Sequence, residues 1–255
     1  MPYDFANHGA LVTGAASGIG LATARLLAAS GATPVVATDR NSESLNNAFS
    51  GLEGVVRLAG DVADEAFWSD AMPHIRDTRL AVINAGISSS GAIETLNFEE
   101  WRRVLSVNLD GAFLTLRAAI RAIKAHGKGG AIVITASASG LKAEEGIAAY
   151  GASKAGVMHL ARIAAKECAP HGIRVNAIAP AGVKTPIWRD ASFFADLVGE
   201  SGSEEEAFDA LGKASTPIGR FATAEEIAAQ IAFLLSTDAA TITGATLTSD
   251  GGYLL

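Results

Sequence analysis

Ala10-Leu11-Val12-Thr13-Gly14-Ala15-Ala16-Ser17-Gly18-Ile19-Gly20 reads as a short apolar strand, a glycine turn and the start of a helix that continues to Ser30. Glycines at 14, 18 and 20 permit backbone shapes and close approaches that a Cβ would block. The N–H groups exposed at the helix start favour an anion such as a pyrophosphate. Gly14, Ser17, Gly18, Ile19 and Gly20 are therefore candidate binding positions. A second strand, Pro34 to Thr38, ends on Asp39, nineteen residues after Gly20. An acidic residue at that distance accepts hydrogen bonds from adenosine ribose hydroxyls and repels a 2′-phosphate. Strand, turn, helix and acid together predict a dinucleotide site. Arg40 follows and offers a charge to a 2′-phosphate. However, Asp39 precedes it, and the turn carries Ala16-Ser17 in place of a lysine or arginine. The expected cofactor is NAD rather than NADP.

Outward from this unit, strands alternate with helices to the end of the chain. Val55 to Ala59 is a third strand, followed by Asp61-Val62. Leu80 to Ile83 is a fourth, followed by Asn84-Ala85-Gly86. Ligands of open α/β sheets bind outside the carboxyl ends of strands, so these two turns are candidate cofactor contacts, with Asp61 placed to accept from the adenine amino group. A long helical pattern, Phe98 to His126, has Asn108 in its middle, and glycines at 127, 129 and 130 end it. The fifth strand, Ala131 to Thr135, leads into Ser137 and Ser139. A helix over Ala148 to Cys168, a strand over Ile173 to Ile178, a helix over Ala224 to Leu235 and a strand over Ala245 to Ser249 complete the pattern. The alternation predicts a single α/β domain over residues 1–255, with one parallel sheet covered on both faces. Between Pro186 and Pro217 the pattern loosens, with aromatics scattered among acidic and small residues. A substrate lid is expected at about 187–216.

Tyr150-Gly151-Ala152-Ser153-Lys154 lies near the start of the helix expected over Ala148 to Cys168. Residues four apart share a helix face, so the Tyr150 phenol and the Lys154 ammonium look into one site. A free tyrosine, with a pKa near 10, is a poor base at neutral pH, and a nearby cation favours the phenolate. Reaching about 7 takes roughly 4 kcal/mol at 1.36 kcal/mol per unit. One lysine supplies part of this, and a nicotinamide cation would add more.

The composition excludes several classes. A net charge of −7 without a clustered basic patch argues against nucleic acid. The chain has no run of 18 apolar residues, so no membrane span is expected. Met1-Pro2-Tyr3-Asp4-Phe5 does not read as a signal peptide. Cys168 has no partner for a disulfide, and the expected compartment is the cytoplasm. Five scattered histidines lack metal-ligand spacing, so no metal is expected.

These motifs resemble the short-chain dehydrogenase/reductase family along nearly the whole chain. They are Thr13-Gly14-x-x-x-Gly18-Ile19-Gly20, Asp61-Val62, Asn84-Ala85-Gly86, Asn108, Ser137, Tyr150-x-x-x-Lys154 and Pro180 to Thr185. The resemblance implies a Rossmann-type doubly wound parallel sheet of seven strands, and usually a homotetramer. It implies Asn108, Ser137, Tyr150 and Lys154 as the catalytic set, with Lys154 also on the ribose hydroxyls and Asn108 holding a relay water. Val183 and Thr185 would lie against the nicotinamide carboxamide. Two departures stand out: Pro180-Ala181 where the family often has Pro-Gly, and Lys142, Glu144 and Glu145 between Ser137 and Tyr150, where many relatives are mostly apolar. Those charges are either solvated loop residues or contacts to a polar substrate. The expected reaction is hydride transfer between a secondary alcohol and NAD, the alcohol being a polyol, a sugar-type or a cyclic alcohol. Two rivals stay open: an NADPH-dependent 3-oxoacyl-thioester reductase, and a non-enzymatic NAD-sensing protein on the same fold.

Overall fold

The computed structural model describes residues 3–255, apart from the side chains of Asp190 and Ser192. Seven strands form one parallel sheet in the order β3-β2-β1-β4-β5-β6-β7. They are β1 (Gly9–Thr13), β2 (Val35–Asp39), β3 (Val55–Ala59), β4 (Thr78–Ile83), β5 (Gly130–Thr135), β6 (Ile173–Pro180) and β7 (Thr246–Ser249). The helices are α1 (Gly18–Ala29), α2 (Ser42–Ala48), α3 (Glu65–Ile75), α4 (Phe98–Leu105), α5 (Gly111–His126), α6 (Ala148–Cys168), α7 (Ser192–Ser201), α8 (Glu204–Ser215) and α9 (Ala224–Leu235). Strand order reverses between β1 and β4, the point at whose carboxyl-end side open α/β sheets bind their ligands.

Side-chain alternation along the strands feeds two cores. Leu11, Ala81, Ile132 and Ala177 point to the layer of α3, α5 and α6. Ala10, Val12, Val82 and Val133 point to the layer of α1, α2 and α9. Burial on both faces explains why these strands read as nearly continuous apolar runs. Helices α2 and α3 lack a strong apolar signal in the sequence. Side-chain caps start them, with Asn41 accepting from Ser44 N–H and Asp64 from Ala66 N–H, and Leu45 of α2 and Trp68, Ala71 and Ile75 of α3 anchor them in the two cores.

The single helix expected over Phe98 to His126 is interrupted. Ser106–Asp110 forms a π-helical turn, with Asn108 buried at its centre. Residues 186–215 form a short 3₁₀ turn followed by α7 and α8. They carry their own small core of Phe194, Ala207 and Phe208, closed by Phe221. Trp188 stacks on Phe221 at a centroid distance of 5.3 Å. Lys184 pairs with Glu205 and Asp209, and Arg189 with Glu204. The segment is thus an ordered helical hairpin docked on the loop after β6.

Candidate active site

The glycine turn takes left-handed backbone at Gly14 (φ 63°) and Gly18 (φ 52°). A Cβ at Gly14 would stand 2.9 Å from Ala85 Cα, so the turn lies directly against the loop after β4. Asn84 joins the two segments. Its N–H donates to Thr13 Oγ1 at 2.9 Å, and its Nδ2 donates to the Thr13 carbonyl at 3.1 Å. Ala85 N–H also donates to Thr13 Oγ1, at 3.0 Å. Asn84 and Ala85 therefore shape the cradle through Thr13. Ser17 caps α1 without a side-chain hydrogen bond, and no acidic residue occupies the first turn. That leaves bare N–H groups suited to a phosphate.

Asp39, at the end of β2, accepts from Ala16 N–H at 3.1 Å and from Asn41 N–H at 3.0 Å. Its carboxylate is half-buried at the rim of the turn, with Arg40 exposed beside it. Asp61 is exposed and caps its own turn, accepting from Ala63 N–H at 2.8 Å, while Val62 is buried next to it. Val183 is buried, and its carbonyl accepts from Trp188 Nε1 at 2.9 Å. A Cβ at Gly18 would stand 3.1 Å from Thr185 Cγ2, so the loop after β6 closes on the glycine turn. The resemblance left open the Ala181-Gly182 departure. Gly182 is required where it stands, because a Cβ there would fall 2.2 Å from the Phe221 ring.

Four buried or half-buried side chains converge beside this cradle. Lys154 is 5% exposed, and its Nζ donates to the Thr135 carbonyl at the end of β5, at 2.9 Å. It lies 5.6 Å from the centre of the Tyr150 ring. Asn108 is 1% exposed. Its Oδ1 accepts from Ile87 N–H at 2.9 Å, and its Nδ2 donates to the Ile87 carbonyl at 3.0 Å and to Ser153 Oγ at 3.1 Å. Ser153 in turn donates to the Tyr150 carbonyl at 2.7 Å. Gly86 sits between Asn108 and Lys154. A Cβ there would lie 3.3 Å from Lys154 Nζ and 3.4 Å from Asn108 Oδ1. Ser137 is buried after β5, and its Oγ accepts from Ser139 N–H at 3.2 Å.

The electrostatics differ from the simple picture of a lysine lowering a tyrosine. Burial raises the Tyr150 pKa above its ordinary value; a hydrogen bond with Ser137 opposes the shift, and the charge of Glu144 adds to it. Burial also lowers Lys154 to about 8. Withdrawal from water thus disfavours both charged forms. In the free protein Tyr150 holds its proton at neutral pH. The sequence did not disclose three supports of this site. Ser153 stands three residues after Tyr150, a helical spacing that signals contact only once Asn108 is known to face it. Thr135 acts through its carbonyl, for which no side-chain type is diagnostic. Tyr253 reaches the loop before Tyr150 from the far end of the chain, donating to Glu144, while Lys142 Nζ lies 3.9 Å from the centre of the Tyr253 ring.

The chain is similar to known proteins along nearly its whole length. A family model described as enoyl-(acyl carrier protein) reductase matches residues 14–254. The chain is 39% identical to a cyclohexanol dehydrogenase of Acinetobacter sp. (strain SE19), covering 99% of this chain and 97% of that one. It is 38% identical to a cis-4-hydroxycyclohexanecarboxylate dehydrogenase of Sinomonas cyclohexanicum, covering 98% and 97%. A crystal structure of a short-chain type dehydrogenase/reductase from Mycobacterium marinum superposes with a TM-score of 0.85 at 33% identity, covering 98% of this chain and 96% of that one. Glycine cradle, strand order and near full-length similarity together place the chain in the short-chain dehydrogenase/reductase family, as an oxidoreductase that moves a hydride between a CH–OH group and a nicotinamide dinucleotide.

Proposed function

We propose that the protein oxidises a neutral secondary alcohol, cyclic or polyhydroxylated, with NAD, and that Tyr150 is its general base. The convergence of Ser137, Tyr150, Lys154 and Asn108 on one side of the glycine cradle carries this reading. The cradle fits the cofactor. Its two left-handed glycines lie against neighbouring loops, its helix N-terminus is bare, and Asp39 stands at its rim. Gly14, Ser17, Gly18, Ile19 and Gly20 would hold the pyrophosphate, with Asp39 on the ribose, Asp61 and Val62 at the adenine, and Val183 and Thr185 at the nicotinamide. Asn84, Ala85 and Gly86 form the wall between them.

When bound, the nicotinamide supplies the acceptor for the carbon-bound hydrogen. The protein handles the proton. Tyr150 Oη removes it from the substrate hydroxyl as a general base. Ser137 Oγ donates to the same oxygen and stabilises the negative charge that develops there. Lys154, held by Thr135, sets a positive charge behind the tyrosine and would hold the ribose hydroxyls. Both N–H groups of the Asn108 amide are taken, by Ile87 and Ser153. A water relay through this side chain therefore has only the remaining Oδ1 lone pair to use. Asn108 also fixes the Tyr150 backbone through Ser153.

NAD is preferred over NADP on the charge of Asp39. The proposed setting is the cytoplasm, in keeping with the single buried thiol of Cys168. Phe98 on α4 is 72% exposed and Phe113 on α5 is 47% exposed. Exposed aromatics there support burial of this face in a homotetramer. The test of the function is a screen of cyclohexanol, cyclic diols and linear polyols with NAD and with NADP, followed by NADH or NADPH absorbance. Absence of turnover across the set would reject the reading.

A further inference from the structure

The loop between Ser137 and Tyr150 is tied to the segment that follows β7. Asp250 caps that segment, accepting from Gly252 N–H and from Leu254 N–H, each at 3.0 Å. Gly251 and Gly252 take left-handed backbone at φ 61° and 86°. The same turn meets the end of the α7–α8 hairpin, with Ile218 N–H donating to the Gly251 carbonyl at 3.2 Å. A Cβ on Gly252 would fall 2.8 Å from Pro217 Cγ. From this anchored turn Tyr253 reaches the loop between Ser137 and Tyr150. Its hydroxyl donates to Glu144, its ring lies 3.9 Å from Lys142 Nζ, and its carbonyl accepts from that same nitrogen at 3.2 Å.

Each contact bears on Glu144. Lys142 is occupied by the ring and carbonyl of Tyr253, and no contact joins it to Glu144. Tyr253 fills one lone-pair position of the Glu144 carboxylate, and the residue is otherwise exposed. A carboxylate offers about four acceptor positions, so most remain open. The Tyr253 hydroxyl is pushed up to about 12 by burial and by Glu144, so it stays a proton donor through the whole working range. Glu144 lies on the loop that joins Ser137 to Tyr150, six residues before Tyr150, and Tyr253 ties it to the turn that also meets the end of the α7–α8 hairpin. A fixed, partly unsatisfied anion beside the site accepts from hydroxyl groups and repels anions.

We propose that Glu144, positioned by Tyr253, is a second polar subsite of the alcohol pocket, which accepts a hydrogen bond from a second hydroxyl of a neutral diol and disfavours anionic substrates. This rests on the alcohol-dehydrogenase reading above. It sharpens that reading, because a hydroxy acid and a neutral diol are equally compatible with Ser137 and Tyr150.

The experiment measures kcat/KM for cyclohexanol, cyclohexane-1,2-diol and 4-hydroxycyclohexanecarboxylate, in the wild type and in Glu144→Ala, Glu144→Gln and Tyr253→Phe. In the wild type the diol should exceed cyclohexanol, and the carboxylate should be poorest. Glu144→Ala and Tyr253→Phe should each lower the diol-to-cyclohexanol ratio by about tenfold. Glu144→Gln, which keeps an acceptor but loses the charge, should raise the carboxylate-to-cyclohexanol ratio by a similar factor. These are ratios within one variant, so a general loss of folded protein does not move them. Cyclohexanol turnover with a diol ratio unchanged in Glu144→Ala, or a wild type that prefers the carboxylate, would overturn the subsite and leave the enzyme reading intact. A wild type that turns over none of the three would overturn both.

Discussion

Lys154 donates its ammonium to the Thr135 carbonyl at 2.9 Å while only 5% exposed. Position and charge are thus in conflict. The contact holds the nitrogen behind Tyr150, and burial lowers its pKa to about 8. That cost is what the proposed role beside Tyr150 would require of it.

The conflict predicts a pH-dependent stability. Below about pH 8 the lysine is charged in both folded and unfolded chains, so the burial penalty is fully present. Between about 8 and 10.5 the folded protein releases this proton first, and its stability rises with pH; above 10.5 the penalty is gone. At 1.36 kcal/mol per unit the whole effect is about 3 kcal/mol. Lys154→Met should therefore be more stable than the wild type at pH 7 in the absence of cofactor, and the advantage should shrink toward pH 10. Urea unfolding at the two pH values checks this, and a variant destabilised equally at both would refute it.

Tyr150→Phe keeps the ring and removes only the titrating hydroxyl. Turnover should fall by about 10²-fold or more, the usual worth of general acid–base catalysis. Cofactor affinity should stay within about tenfold. Because burial raises the Tyr150 pKa, alcohol oxidation by the wild type should rise toward alkaline pH, where the base form grows. Carbonyl reduction should fall over the same range. Parallel pH profiles in both directions, with a flat oxidation limb, would remove Tyr150 as the base.

Ser137 and Ser139 both follow β5, but their roles separate in the structure. The Ser137 hydroxyl interacts with Tyr150 and accepts from Ser139 N–H at 3.2 Å. Ser139 packs its carbonyl toward Gly151, where an added Cβ would stand 3.0 Å away. Ser137→Ala should lower kcat/KM by about 10²-fold, as for loss of an oxyanion donor, and Ser139→Ala by much less. Steady-state kinetics of the two variants decide between them.

What the sequence disclosed follows from how each feature is encoded. Strands β1, β2, β4, β5 and β6 were legible because burial on both faces leaves nearly continuous apolar runs, the half-exposed edge strands β3 and β7 because turn residues bound them, and α6 and α9 because their patterns are long. Helices α2 and α3 were not singled out because they are short, at 7 and 11 residues, and bury few side chains, Leu45 in α2 and Trp68, Ala71 and Ile75 in α3. The π turn at Asn108 was invisible, since one extra residue in a turn leaves no compositional trace. Residues 187–216 were legible as a break in the strand–helix alternation, but the aromatic cluster that orders them depends on Phe221, outside the segment. Tyr253 shows the general limit: a residue that acts across 109 positions of chain on Glu144 gives no local sign of it.

The last prediction concerns Asp39, whose carboxylate has two duties. One oxygen accepts from Ala16 N–H at 3.1 Å and so braces the glycine turn, and the other accepts from Asn41 N–H at 3.0 Å. The same half-buried charge would accept from the ribose hydroxyls of NAD and face the phosphate of NADP, where repulsion is weakly screened. Asp39→Ser removes the repulsion and frees Arg40 as a planar, charge-assisted partner for that phosphate. It also removes the acceptor for Ala16, so the turn should loosen and affinity for both cofactors should fall somewhat. The ratio cancels that common loss. The NAD-to-NADP ratio of kcat/KM should fall by about 10²-fold, or roughly 2.7 kcal/mol at 1.4 kcal/mol per tenfold. Both forms of the enzyme are measured at one ionic strength. A wild type that already prefers NADP would show that Arg40, not Asp39, governs the pocket.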